Sequence, residues 1–168
     1  MNKSIDALSE EIDELLLRKL ELTEEKIHGN IQMEILLKDG YIELAKAKYI
    51  RGKENIGILQ VPSNTDTMLS LFDLKTNGAT DEDDNIVPCF DISLKKSNDK
   101  VDGPGDPIKW FGVLVPQNLK NSQKRFQESV YLAIKIANIQ MQLISVFYKL
   151  KTLYIQKNNL HCQNNISI

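Results

Sequence analysis

The feature that most constrains this chain is an unbroken apolar stripe in its last third. Seven aliphatic residues follow one another in alternating steps of four and three: Leu132, Ile136, Ile139, Leu143, Val146, Leu150 and Leu153. This a/d spacing places side chains along one face of a helix, where they pack against another helix. The sequence therefore predicts one long helix over residues 117–157, with a helix seam that needs a partner helix.

The first third of the chain carries a second, less regular apolar pattern. It predicts a long helix within residues 1–52, with Ser4 as the N-cap. The expected apolar stripe consists of Ile5, Leu8, Ile12, Leu15, Leu20, Ile27, Ile31, Ile35, Ile42, Ala45 and Tyr49. Gly29 and Gly40 interrupt the pattern, and each glycine costs about 1 kcal/mol relative to Ala inside a helix. The pattern leaves two alternatives open, a continuous helix or a helix with a kink or a short break near Asn30 or Asp39.

The two predicted helices carry opposite net charges. Residues 1–52 contain 8 basic and 11 acidic side chains, a net charge of −3, whereas residues 117–168 contain 7 basic and 1 acidic, a net charge of +6. Opposite charges fit two helices that lie side by side. A basic helix can equally face anionic lipid or an acidic partner.

The middle third, residues 53–116, is predicted to be a flexible connector. It contains five prolines, which exclude a long helix. Short apolar runs at residues 56–61, 68–72 and 89–94 are the strand candidates. The acidic run 81–84 and the stretch 95–106 are expected to be solvated loops.

Together these patterns predict an all-α fold class. The expected architecture is a long antiparallel helical hairpin or coiled coil, whose loop-rich middle has room for a short β-hairpin. The last residues, 158–168, show no periodic pattern and are predicted to fray.

One loop segment, residues 107–116, stands out because it combines the only tryptophan of the chain with a run of apolar residues. Trp110 and Phe111 are followed by Gly112 and three aliphatic residues, too many apolar groups for an isolated solvated loop. Two interpretations are open at this point. The segment is either a hydrophobic plug on the end of the helix pair, with Leu114 or Val115 as the staple, or it presents Trp110 and Phe111 as an exposed anchor for another protein.

The sequence offers no constellation for catalysis. The two histidines, His28 and His161, are far apart in sequence, and the two cysteines, Cys89 and Cys162, are too few for a zinc site or a disulfide framework. A pI of about 5.7 and the lack of dense basic patches argue against nucleic-acid binding. With no secretory signal and no run of uncharged apolar residues long enough for a span, we expect no direct membrane span. Because no catalytic or ligand-binding constellation is present, we also expect no cofactor, no metal and no enzymatic activity.

Two segments resemble the signatures of the assembly factor family of the vacuolar proton-pumping ATPase, a family of coiled-coil domain-containing proteins. The likeness covers the two helical ends and not the middle, residues 60–106. The residues that carry it, here called the signature residues, are Gly40, Tyr41, Leu44, Ala45, Lys46, Ala47, Tyr49, Trp110, Phe111, Gly112, Leu114, Pro116, Leu119 and Phe126.

The resemblance implies a chaperone-like factor that assembles the membrane sector of the pump and is needed for acidification of the Golgi, endosomes and lysosomes. It also implies two kinds of partner: a small two-span membrane assembly factor of the endoplasmic reticulum, and membrane-sector subunits of the pump. The implied location is the cytosolic face of the endoplasmic reticulum, with ER-Golgi intermediate vesicles, endosomes and lysosomes as further sites. The alternative is a generic coiled-coil tether or trafficking adaptor, which would explain the heptads equally well.

Overall fold

The structure is a computed structural model that describes residues 4–62, 70–80, 86–95 and 106–166. The elements are α1 (Ile5–Arg51), β1 (Phe72–Thr80), β2 (Ile86–Leu94) and α2 (Gln117–Ile166), with short 3₁₀ helices at Ile58–Gln60 and Pro107–Phe111. About 75% of the structure is helical, and β1 and β2 form a small two-stranded antiparallel sheet. The prediction of a mostly helical chain with two long helices is confirmed, and the fold is mixed, with a small β-hairpin beside the helices.

Helix α1 begins where the sequence predicts and continues through both glycines. The Ser4 hydroxyl accepts a hydrogen bond from the backbone N–H of Ala7 at 3.2 Å, which confirms Ser4 as the N-cap. Of the two alternatives left open by the sequence, the structure shows the continuous helix, because α1 runs unbroken to Arg51. Gly29 and Gly40 are both buried. Their lack of a side chain allows α2 to approach closely, and this packing role accounts for glycine inside the helix.

The buried face of α1 differs from the expected stripe. From Leu20 onward the stripe is wrong: its large apolar members Leu20, Ile27, Ile31, Ile35, Ile42 and Tyr49 are exposed. The inward positions instead alternate in steps of four and three, and every member but Lys19 is buried or half-buried: Leu8, Ile12, Leu15, Lys19, Leu22, Lys26, Gly29, Met33, Leu36, Gly40, Glu43 and Ala47. A strict heptad therefore determines the buried face, although several of its positions are not apolar.

The strand predictions for the middle are partly wrong. Residues 56–61 contain the 3₁₀ helix Ile58–Gln60, because the Gln60 side-chain oxygen accepts a hydrogen bond from the backbone N–H of Gly57 at 2.8 Å and closes a turn. Of the run 68–72, only Phe72 lies in β1, and residues 68 and 69 are outside the described residues. Residues 89–94 do lie in a strand, β2. The acidic run 81–84 and most of the loop 95–106 also lie outside the described residues.

Helix α2 continues to Ile166, past the predicted end at residue 157. No proline or glycine follows Pro116, so nothing in the sequence terminates the helix. Leu160, seven residues after Leu153, packs against the same hydrophobic cluster and continues the seam into the segment that was expected to fray. By length and composition alone α2 is also apolar enough to cross a membrane, a criterion that core helices of soluble proteins meet as well.

The chain divides into two compact units. The first unit consists of Met1–Gly29, Gly78–Cys89 and Ile136–Ile168, and the second of Asn30–Asn77 and Phe90–Lys135. The core of the first unit is formed by the buried residues Leu8, Ile12, Leu22, Ile139, Val146, Leu150 and Leu153. The core of the second unit is smaller and is built around Ala47, Ile56 and Leu119. Each core therefore joins part of α1 to part of α2.

Candidate functional site

The second unit brings the two halves of the signature together at Gly40. A Cβ added to Gly40 would lie 3.0 Å from Cε1 and 3.1 Å from Cζ of Phe126, so the ring occupies the space that a side chain would need. The Tyr41 ring packs edge-on against the Phe126 ring with centroids 5.1 Å apart. The buried Ser122 hydroxyl donates a hydrogen bond of 2.8 Å to the Gly40 carbonyl oxygen. These contacts leave little room for a side chain at position 40, and the Phe126 ring gives Tyr41 a packing partner.

A small hydrophobic cluster holds the Trp110 segment against the helices. Ala47 and Leu119 are buried together with Ile56, and the partly buried residues packed against them are Leu44, Ile108, Phe111 and Val115. Ala47 is completely inaccessible, and its single methyl group leaves room for the larger neighbours. Part of the segment therefore packs as the plug interpretation expects, with Val115 in the position of the staple.

The remaining part of the segment points into solvent. Val113 and Leu114 are exposed, next to Gly112, whose φ of +96° is a left-handed conformation that favours glycine. Leu114 is therefore not the staple. The turn at Gly112 divides the segment. Phe111 packs against the cluster and Trp110 is half-buried, so the exposed side chains are Val113 and Leu114 and not the expected anchor residues Trp110 and Phe111.

The loop is anchored at its start by Asp106. One carboxylate oxygen of Asp106 accepts hydrogen bonds from the backbone N–H of Ile108 at 3.1 Å and from the side-chain amide of Gln123 at 2.6 Å. Gln123 belongs to α2. This bond joins the start of the 3₁₀ helix to α2 and fixes the position of the segment that contains Trp110 and Phe111.

A polar contact beside the glycine also joins the two helices. The Glu43 carboxylate accepts hydrogen bonds from Lys46 at 2.6 Å and from the Asn118 amide at 2.7 Å. These two bonds, the first from Lys46 and the second from Asn118, lower the pKa of Glu43 below its usual 4.5. Glu43 is therefore ionised at neutral pH, and its charge favours contact with the basic α2.

The other signature residues have no shared site. Ala45, Lys46 and Tyr49 are exposed on α1, whereas Trp110 and Pro116 are half-buried. The signature thus combines packing residues, which hold the second unit together, with residues that face solvent.

The predicted seam of α2 lies mainly in the first unit. Ile139, Val146, Leu150 and Leu153 are buried there, and Leu143 packs against them. Ile136 lies against Gly29, since a Cβ on that glycine would be 3.0 Å from Ile136 Cγ1. Leu132, in the second unit, is half-buried.

Sequence reasoning missed two serines on the inner face of α2. Ser122 and Ser129 are both buried, and the Ser129 hydroxyl donates to the Phe126 carbonyl oxygen at 2.8 Å. They lie at positions that extend the four-three spacing backward from Leu132. The spacing alone could have indicated that these serines face inward, but an apolar pattern does not include polar residues.

The described residues contain no group of three or more His, Cys, Asp or Glu side chains that could hold a metal ion. Cys89 and Cys162 are both free and exposed. Among the described residues, the exposed apolar side chains are the feature suited to binding another molecule.

Comparison with known proteins shows which proteins this chain resembles. A family model described as Vma22/CCDC115 matches residues 73–129. The match includes the signature residues from Trp110 to Phe126 and also most of the middle, so the prediction that the likeness excludes residues 60–106 is wrong. The middle shows no recognisable motif, yet it contains the β-hairpin.

Individual relatives extend the likeness over most of the chain. The "Vacuolar ATPase assembly protein VMA22" of Mus musculus is 28% identical over 160 residues, covering 83% of this chain and 87% of the relative. The proteins of the same name from Homo sapiens and Danio rerio are 27% identical over 153 residues and 26% identical over 169 residues, covering 81% and 78% of this chain and 85% and 81% of the relatives. The resemblance to the vacuolar ATPase assembly factor family is thereby confirmed.

Proposed function

We propose that this protein is an assembly factor for the membrane sector of the vacuolar proton-pumping ATPase, and that it acts by binding other proteins and not by catalysis. The observation that carries the proposal is the similarity over about four fifths of the chain to relatives named vacuolar ATPase assembly proteins. A chaperone-like role of this kind needs surfaces that hold an incomplete complex.

The contacts in each unit support an antiparallel hairpin as the framework for this role. In the first unit, Lys26 donates to Gln140, and Gly29 lies against Ile136. In the second unit, Gly40 contacts Phe126 and Glu43 contacts Asn118. In each unit, the residue number of the α2 partner falls as the α1 residue number rises, as it does in a pair of antiparallel helices. The four-three spacing of the inward positions is typical of a coiled coil.

The exposed apolar side chains of α1 supply a surface for a partner. In the second unit, Ile31, Ile35 and Ile42 are exposed at helical spacing on the side of α1 that the core does not use. A partner helix that covered this face would complete a three-helix arrangement. The partners we propose are membrane-sector subunits of the pump and a small two-span assembly factor of the endoplasmic reticulum. The proposed location is the cytosolic face of that membrane, with no span contributed by this chain.

A pull-down from detergent-solubilised membranes tests the function. The tagged full chain is expected to recover membrane-sector subunits of the pump. The variant Ile35→Asp with Ile42→Asp is expected to lose them, because two charges would be placed in the contact. The matched control is Asn30→Asp with Gln32→Asp, which adds the same charge at exposed polar positions of α1.

The outcomes of this experiment are distinct. Recovery of pump subunits by the wild type and by the control, but not by the isoleucine variant, supports both the function and the surface. Recovery of only vesicle-coat or cytoskeletal proteins would contradict the proposal and favour a generic tether or trafficking adaptor.

A further inference from the structure

Two neighbouring turns in the second unit expose aliphatic side chains almost completely. Ile58 and Leu59 lie on the 3₁₀ helix after α1, and Val113 and Leu114 lie on the turn at Gly112. These four residues, here called the apolar tip, are between 78% and 96% exposed. One exposed aliphatic residue is ordinary, but four on two turns that are fixed to the same buried cluster call for an occupant.

The two turns adjoin because they are fixed to the same buried cluster. Ile56, two residues before Ile58, is buried with Ala47 and Leu119, and Val115, directly after Leu114, packs against that cluster. Gln60 holds the first turn through its bond to the Gly57 N–H. The exposed side chains are therefore carried by anchored turns, and their positions are set by the fold.

The two segments that carry the tip have a positive net charge. Within residues 48–62 and 106–120, the basic side chains number five and the acidic ones two, a net charge of +3. The basic residues are all exposed: Lys48, Arg51, Lys53, Lys109 and Lys120. Of the two acidic residues, Asp106 accepts hydrogen bonds from the Ile108 backbone N–H and from the Gln123 side chain of α2, and Glu54 is exposed.

We propose that the apolar tip inserts into the interfacial region of an anionic phospholipid membrane, with the surrounding basic residues on the lipid headgroups. Each of the four side chains is at least 78% exposed, and fluid acyl chains can cover such side chains without a complementary shape. Aliphatic residues below the headgroups and Lys or Arg at their level are the usual arrangement of an interfacial membrane contact. A protein partner on the tip is the competing occupant. This inference does not rest on the proposed function.

The single tryptophan provides a direct probe. Trp110 lies on the same loop as Val113 and Leu114, next to Lys109, and is half-buried. Its fluorescence is measured in the purified full chain with vesicles of phosphatidylcholine alone and of phosphatidylcholine mixed with phosphatidylserine, each prepared with and without brominated acyl chains. Quenching by brominated lipid requires that Trp110 lies close to the acyl region.

We expect cosedimentation with the phosphatidylserine vesicles, quenching of Trp110 by their brominated form, and little binding to phosphatidylcholine alone. Added salt is expected to weaken the binding, because it screens the basic residues. The variant Lys53→Glu with Lys109→Glu is expected to bind anionic vesicles at least about 25-fold more weakly, from roughly fivefold for each basic residue removed. Its control is Lys75→Glu with Lys151→Glu, two exposed lysines outside the tip segments.

Removal of the apolar side chains gives the second arm. Replacement of all four tip residues by serine is expected to reduce vesicle binding at least about tenfold. Because these residues are exposed, the variant should keep the wild-type circular dichroism and thermal midpoint. Leu17→Ser with Leu20→Ser is the control for removing exposed leucines from the first unit.

Three results would overturn the inference. One is equal binding to neutral and anionic vesicles, or binding to neither kind. Absence of binding to both would favour a protein partner as the occupant of the tip. Another is binding to anionic vesicles without quenching of Trp110, since contact would then occur through another face. The third is a tip variant that binds anionic vesicles as tightly as the wild type does.

Discussion

Two leucines that lie two residues apart in α1 are expected to differ sharply in their contribution to stability. Leu22 is 1% exposed in the core of the first unit, whereas Leu20 is 66% exposed. The apolar pattern of the sequence selects Leu20 for the buried stripe, and the structure selects Leu22. Replacement of each leucine by alanine therefore tests which face of α1 is buried.

The expected magnitudes follow from these burials. Leu22→Ala removes a fully buried side chain and leaves a cavity in the core cluster of the first unit. Such replacements lower the free energy of unfolding by about 2 to 5 kcal/mol. Leu20 has only about a third of its surface covered, so Leu20→Ala should cost less than about 1 kcal/mol. The change in helix propensity is similar for both and small.

Urea unfolding followed by circular dichroism measures both variants, and the wild type is measured beside them. A lower urea midpoint with an unchanged slope for Leu22→Ala, and a midpoint close to the wild type for Leu20→Ala, is the expected result. Equal losses for the two variants, or a larger loss for Leu20→Ala, would refute the heptad described for α1.

Three further predictions concern contacts between the helices. Gly40→Ala gains about 1 kcal/mol of helix propensity, but the added methyl group crowds the Phe126 ring. The substitution should therefore be at least about 1 kcal/mol more favourable to stability in a Phe126→Leu background than in the wild type. Thermal unfolding of the two single variants and the double variant checks this, and additive effects on stability would contradict it. Glu43 has a lowered pKa when folded, so its charge stabilises the fold at neutral pH and the contribution is lost as pH falls through that pKa. Glu43→Gln should lower the urea midpoint at neutral pH and match the wild type in acid; a deficit that is constant with pH would count against the contact. Ile139→Asp with Leu143→Asp should yield aggregated or unfolded chain on size-exclusion chromatography and no partner in a pull-down, whereas a normal elution and pull-down would argue against the core.

The seam of α2 was readable from the sequence because its positions from Leu132 to Leu153 are all aliphatic. The same spacing continues backward to Ser129 and Ser122, which are small and polar, and forward to Leu160. Their burial depends on what lies opposite, such as the Gly40 carbonyl that receives the Ser122 hydroxyl. The apolar pattern of α2 alone does not show which group lies opposite each serine.

Helix α1 shows the opposite case. Its inward positions include two glycines and Glu43, whereas several of its isoleucines face solvent. Hydrophobicity alone therefore selects the wrong face. The glycines are inward because α2 approaches closely at these points, and this becomes evident only when Ile136 and Phe126 are placed beside them.

The candidate site was predictable as a set of residues but not as an arrangement. The motif around Trp110 indicates that the segment matters, while its division into a packed face and an exposed face depends on the turn at Gly112. That turn buries Phe111 and Val115 partly and exposes Val113 and Leu114. The resemblance to the assembly factor family likewise predicts the family, and the comparison with relatives supports it.

The central functional proposal is tested most directly by the pH of lysosomes or vacuoles in cells that lack this protein. An assembly factor for the membrane sector is needed for a working pump, so we predict that the lumen becomes less acidic and that the full chain restores the pH. A ratiometric pH probe in the organelle gives the measurement. A normal luminal pH in the deficient cells would contradict the proposed function.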